Sequence, residues 1–211
     1  MRSNPQEYGI CSNSFHGFRS RATPASERTH GRVPVFACTS EMVNTIKPGQ
    51  AICVAAYTQR NMGTWIKDSM TTGAVATVAT TAAAAVLGQL ENGNAAAPLN
   101  AVSHILWGES ATRHEETDAR HTLVGAGLNA AAVTGWAGVH ELFMPRGTKP
   151  SLGRALLTGA AVSALAYITD YHVVPKRLAP GFEERLSGSG MLGMYATLGL
   201  ALAFGSLSRE P

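Results

Sequence analysis

Residues 69–90 contain no charged side chain, and three further stretches of the same kind follow. At about 1.5 Å per residue each is long enough to cross a hydrocarbon layer of about 30 Å. Asp68 and Glu91 bracket the first. The second covers residues 122–139, between His121 and the His140-Glu141 pair, with Pro145 close behind. The third covers residues 155–174, is interrupted by Asp170 alone, and stops at Pro175; the fourth, residues 186–208, carries no charge. A soluble helix keeps a polar face at 3.6-residue spacing, and none of these four has one built from charges. The pattern predicts an all-α polytopic membrane protein, a bundle of four transmembrane helices over about 69–90, 122–143, 153–174 and 187–208, with the lipid bilayer as its first partner.

Small residues recur at helix-packing distances: Gly159 with Ser163, Gly199 with Ala203, Gly135 with Gly138, and Gly188 with Gly190 and Gly193. Close backbone approach is a main source of helix association in lipid, so these stripes predict helix interfaces. Asn129, buried within the second helix, is expected to hydrogen-bond across to a neighbour.

The first 61 residues differ in kind. They hold all three cysteines, Cys11, Cys38 and Cys53, and seven Lys+Arg against three acids, whereas the remainder has a net charge of −1. The chain-wide charge of +3 and mean hydropathy of +0.02 average over this contrast. Scattered arginines without interleaved aromatics do not make a nucleic-acid surface, and cysteines without CxxC spacing do not make a metal or redox site. Residues 1–61 read as a disordered polar and basic segment. Met62 or Met70 reads equally well as a natural start, since the charge, cysteine content and periodicity change there.

An odd number of crossings separates the loop at 91–121 from the N-terminal segment, and the end of the third helix returns to the loop's face. That face collects Asn100, His104, His121, Asp170 and His172 as a candidate polar cluster, with His114, Glu115, Glu116, Asp118, Glu183 and Glu184 nearby. Residues 98–107 form a predicted short interfacial helix placing Asn100, His104 and Trp107 on one side. Asp170 shares the small-residue stripe of Gly159 and Ser163, so its carboxylate is expected to point into the bundle, where an ionisable group is a functional candidate. The bland reading of Asp170 is an interfacial pair with Lys176, Arg177 or His172. His104, His121, His172 and Asp170 have ligand types suited to zinc or iron, yet no ligand spacing supports a site, and neither metal nor cofactor is expected.

Gly188-Ser-Gly190-Met-Leu-Gly193 and Gly125-Ala-Gly127-Leu-Asn-Ala130 mimic dinucleotide fingerprints, but both lie in apolar helical stretches without a preceding strand. The strings Asn100-Ala-Val-Ser-His104-Ile-Leu-Trp107-Gly108, Arg113-His114-Glu115-Glu116, Thr169-Asp170-Tyr171, Val174-Pro175-Lys176-Arg177-Leu178 and Pro180-Gly181-Phe182-Glu183 resemble a group of small, uncharacterised proteobacterial inner-membrane proteins. The resemblance covers about residues 62–208. It implies a helical bundle in the bacterial inner membrane and no nameable activity. It also implies a start near Met62.

Lys and Arg near the membrane divide six to five in favour of the side holding Arg60, Lys67, Arg146, Lys149, Arg154 and Arg209, which places both termini in the cytoplasm. The residues favour a non-enzymatic envelope or partner-binding role. Two alternatives stay open: a small transporter or proton-linked channel that uses Asp170 and works as a homo-oligomer, and a metal-dependent membrane enzyme.

Overall fold

The computed structural model describes residues 48–146 and 148–209, with side chains from Asn61 onward. Every regular element among them is helical. Helix α1 (Pro48–Asn92) leads into two short helices, α2 (Ala97–Val102) and α3 (His104–Trp107), followed by α4 (Val124–Leu142), α5 (Leu152–Ile168) and α6 (Gly188–Ser208). A π-turn, Ala119–Leu123, opens α4, and another, Thr169–Val173, closes α5. The chain divides after Arg60 into two units, Met1–Arg60 and Asn61–Pro211, and the bundle belongs to the second.

Four helical stretches among the described residues are long and apolar enough to cross a membrane: Asn61–Asn92, Ala119–Leu142, Leu152–Val173 and Gly188–Ser208. Of the segment expected to be unstructured, residues 1–47 lie outside the described residues, while residues 48–61 are helical. Pro48 opens α1, its fixed φ suiting the first turn, and the apolar residues 51–57 continue it.

The packing is inverted relative to a soluble bundle. The interior is built from small side chains, including Ala76, Ala137 and Ala166, around Val133, Val162, Leu198 and Leu202. Large side chains point outward, with Leu90 76% and Leu157 74% exposed. An exterior of this kind is stable against hydrocarbon and aggregates in water. Small interior residues let backbones touch. A Cβ on Gly159 would lie 2.3 Å from the Gly199 carbonyl oxygen, and one on Gly125 would lie 1.8 Å from that of Leu99. Helices α5 and α6 meet along the first contact, where the Ser163 hydroxyl also donates to the Tyr195 carbonyl. Helix α2 meets α4 along the second, so the short helix of the first loop is sunk into the bundle end, with Asn100 fully buried.

At the opposite end of the bundle an ion cluster ties three helices. Arg209, just beyond α6, donates from Nη1 to Asp68 of α1 at 2.8 Å and to Glu141 of α4 at 2.5 Å, and from Nη2 to the Pro145 carbonyl at 2.8 Å. The Thr72 hydroxyl donates to the other Glu141 oxygen at 2.7 Å. His140 and Glu141, which end the second uncharged run, are both buried. Removing one member of such a group strands buried charge. Arg209→Ala is expected to cost about 3–5 kcal/mol, seen as earlier SDS-induced unfolding in micelles. The triple change Arg209→Met, Glu141→Gln, Asp68→Asn should recover most of that loss.

Candidate functional site

The two polar segments on the loop side fold over the bundle end as one cap. Arg185 crosses between them, donating from Nε to the Thr112 carbonyl at 2.5 Å and from Nη1 to Glu115 at 2.6 Å. Asn94 donates to the same Glu115 carboxylate at 2.9 Å. The Asn94 bond first, and Arg185 second, hold the Glu115 carboxyl below the usual carboxylate range. Asn92 donates to the Arg185 carbonyl at 2.6 Å, and Glu91 accepts from the Ser187 N–H at 2.6 Å at the start of α6.

Asn100 organises the centre of the cap. Its amide nitrogen donates to the carbonyls of His114 at 2.9 Å and Glu116 at 3.0 Å, and its oxygen accepts from the Thr122 hydroxyl at 2.6 Å. The Thr122 oxygen in turn accepts from the Asp118 N–H at 3.2 Å. The polypeptide from His114 to Thr122 is therefore pinned to α2 at both ends.

Within that pinned loop, two histidines converge on one carboxylate. Asp118 caps the turn by accepting from the His121 N–H at 2.6 Å. Its Oδ2 lies 2.8 Å from His114 Nε2 and 3.0 Å from His121 Nδ1. The two imidazoles stack with centroids 3.8 Å apart. The His121 N–H, followed by the His121 ring, depresses the Asp118 carboxyl to about 2. Trp107 donates to the Arg120 carbonyl at 2.9 Å beside this cluster, and the Arg120 guanidinium lies over its ring at 4.7 Å.

Below the cap, Asp170 accepts from the Tyr195 hydroxyl at 2.7 Å. It lines a cavity of ≈100 Å³ together with Thr80, Asn129, Trp136, Phe182 and Tyr195. Asn129 donates to Thr80 at 3.3 Å, the cross-helix bond expected of it. This volume has room for a few waters and falls well short of the roughly 300–1,000 Å³ of a small-molecule site.

The five residues nominated from the sequence do not form one cluster. Asn100 and His121 belong to the cap's inner network. His104 is held by the Ala101 carbonyl at 2.8 Å and the Lys176 carbonyl at 3.4 Å, and packs on the αL residue Gly181. Asp170 faces the bundle interior, bonded to Tyr195 instead of Lys176, Arg177 or His172. His172 is exposed, 5.7 Å from the Tyr167 ring, and lines an open recess of ≈1030 Å³ between α5 and α6. Of the ligand candidates His104, His121, His172 and Asp170, only His121 has ligand-type neighbours at metal-binding distances among the described residues, and these are His114 and Asp118. The signal for that pairing was present as the Asp118-x-x-His121 and His114-x-x-x-Asp118 spacings, each one helical turn.

No family model, curated protein or solved structure matches this chain.

Two outcomes follow from this geometry. Asn100→Ala leaves two carbonyls and the Thr122 hydroxyl short of their partner, at a cost of about 1–3 kcal/mol. Hydrogen exchange should accelerate across residues 112–122 while α5 and α6 stay protected. The second concerns acid. Asp118 is depressed from 3.8 to about 2, so its contribution to the folded cap is complete above the unfolded value and disappears as pH falls through the folded one. The contribution of Trp107 to fluorescence should change between about pH 4 and 2, and Asp118→Asn should remove most of the change in that window.

Proposed function

We propose that this chain is a multi-pass protein of the bacterial inner membrane whose role is recognition instead of catalysis, exercised through the cap over one end of its bundle. The inverted packing, with leucines outside and alanines inside, supports insertion in lipid. The observation that carries the recognition reading is the cross-tie of the two loops by Arg185, Glu115 and Asn94. Cross-ties of this kind fix polar side chains from separate loops in one rigid surface, which is what a preorganised binding face requires. The inner-membrane location draws on the resemblance of the Asn100–Gly108 and Thr169–Glu183 strings. Lys67, Arg146, Lys149 and Arg154 support placing the end opposite the cap in the cytoplasm.

A second reading, a proton-linked channel, has one observation in its favour: Asp170 and Asn129 line the same interior cavity. The size of that cavity and the Tyr195 bond favour a structural role for the aspartate.

The test has two arms. Photo-crosslinking residues placed at Arg113 and Glu116 in cells should give discrete protein adducts, with the same residue at lipid-facing Leu157 as the control. Proteoliposomes loaded with a pH-sensitive dye should hold a proton gradient as well as protein-free vesicles. Adducts absent from the cap overturn the recognition reading, and a leak abolished by Asp170→Asn puts the channel in its place. Alkaline extraction that frees the protein from membranes would overturn both.

A further inference from the structure

We infer that His114, Asp118 and His121 form a binding site for one divalent transition-metal ion, with zinc the best fit. Nothing in the recognition reading requires it, and its test reads metal binding alone. Two imidazoles and a carboxylate are a donor set suited to zinc, nickel, cobalt or iron, and unsuited to magnesium or calcium. One ligand atom from each of the three, a ring nitrogen of His114, a ring nitrogen of His121 and an Asp118 oxygen, lies within 4.8 Å of the other two. A tetrahedral ion with bonds of about 2.0–2.2 Å separates its ligands by roughly 3.3–3.6 Å. The contacts of 2.8 and 3.0 Å to Asp118 Oδ2 are hydrogen-bond distances, so an inserted ion takes the place of the shared protons and parts the ligands by about 0.3–0.8 Å.

The surroundings favour a built site over a chance meeting of side chains. Metal ligands need outer partners that fix their orientation. Here the ligand loop is pinned by Asn100, which is fully buried and bonded at His114, Glu116 and Thr122. Asp118 is held from two sides, by the His121 N–H and the Thr122 hydroxyl. The three side chains are 16–36% exposed, so an ion can reach them from solvent and keep water in its remaining position. Bound there, the ion joins the loop before α4 to the π-turn that opens it. His104, His172 and Asp170 are held by other partners or lie elsewhere, as described above.

The experiment is a titration of the full chain, purified in detergent without a polyhistidine tag, with cobalt(II) and then zinc. Cobalt should give a d–d absorption spectrum saturating at one equivalent per chain and bleached by zinc. His114→Gln, Asp118→Asn and His121→Gln should each weaken binding about tenfold or more, by analogy with the losses that accompany disturbed metal shells. On the unaltered protein, zinc should shield His114 and His121 from diethyl pyrocarbonate while His172 reacts at its usual rate. This second readout does not depend on any variant folding. Absence of the cobalt spectrum overturns the inference. So does binding that survives all three substitutions, or a sulfur-to-cobalt charge-transfer band, which would assign the ion to Cys11, Cys38 or Cys53.

Discussion

Hydrocarbon offers no hydrogen bonds, so a polar side chain inside a membrane bundle must find its partner on the protein. That constraint accounts for the placement of three interior polar groups of this chain. Asn129 reaches Thr80 across the α4–α1 contact, Ser163 reaches the Tyr195 backbone across α5–α6, and Asp170 accepts from Tyr195 along the same seam. Each of these bonds lies at a helix–helix contact made tight by small residues. Close approach and polar pairing are therefore one arrangement: the glycine and alanine stripes bring the backbones near enough for short polar side chains to span the gap.

The same constraint separates the bundle's two ends. One end is fastened by charge, with a single guanidinium shared between Asp68 and Glu141 and a carbonyl completing its donors. The other is fastened by neutral amides and hydroxyls around Asn100, with the Arg185–Glu115 pair at the rim. A buried ion cluster holds helices in register because breaking any one contact strands charge. An amide network holds a loop in shape while leaving its ionisable residues, His114, Asp118 and His121, partly open to solvent. Structural and ligand-accessible polarity are in this way assigned to opposite faces.

Much of this architecture is legible in the amino-acid order because its causes are local. Uncharged length alone marks the four spans, and the parity of crossings places the loop at 91–121 beside residues 170–185, where Arg185 meets Thr112 and Glu115. The inward aim of Asp170 also follows from its shared stripe with Gly159 and Ser163. The separate placements of His104 and His172 are not legible, because they depend on irregular backbone. The short helix of the first loop breaks at Ser103, which aims His104 at Gly181 and the Lys176 carbonyl, away from His121. The π-turn at the end of α5 leaves His172 on the outside. Arg209 lies beyond the last apolar run, and its partners are 68 and 141 residues away, a pairing that no local pattern announces.

The two π-turns show how irregular backbone and chemistry coincide. A π-turn interrupts the i, i+4 ladder and shifts the angular position of every residue after it. One such turn carries His121 and the other carries Asp170 and His172, at the points where α4 begins and α5 ends. In a continuous α-helix, Asp118 and His121 would share a face with no reason to capture His114 from the loop. Here Asp118 instead takes extended backbone as the capping residue, which turns its carboxylate back over the first turn and brings both imidazoles to the same oxygen. The capping interaction that starts α4 is thus also the one that gathers three metal-type ligands, and the helix start and the ligand cluster stand or fall together.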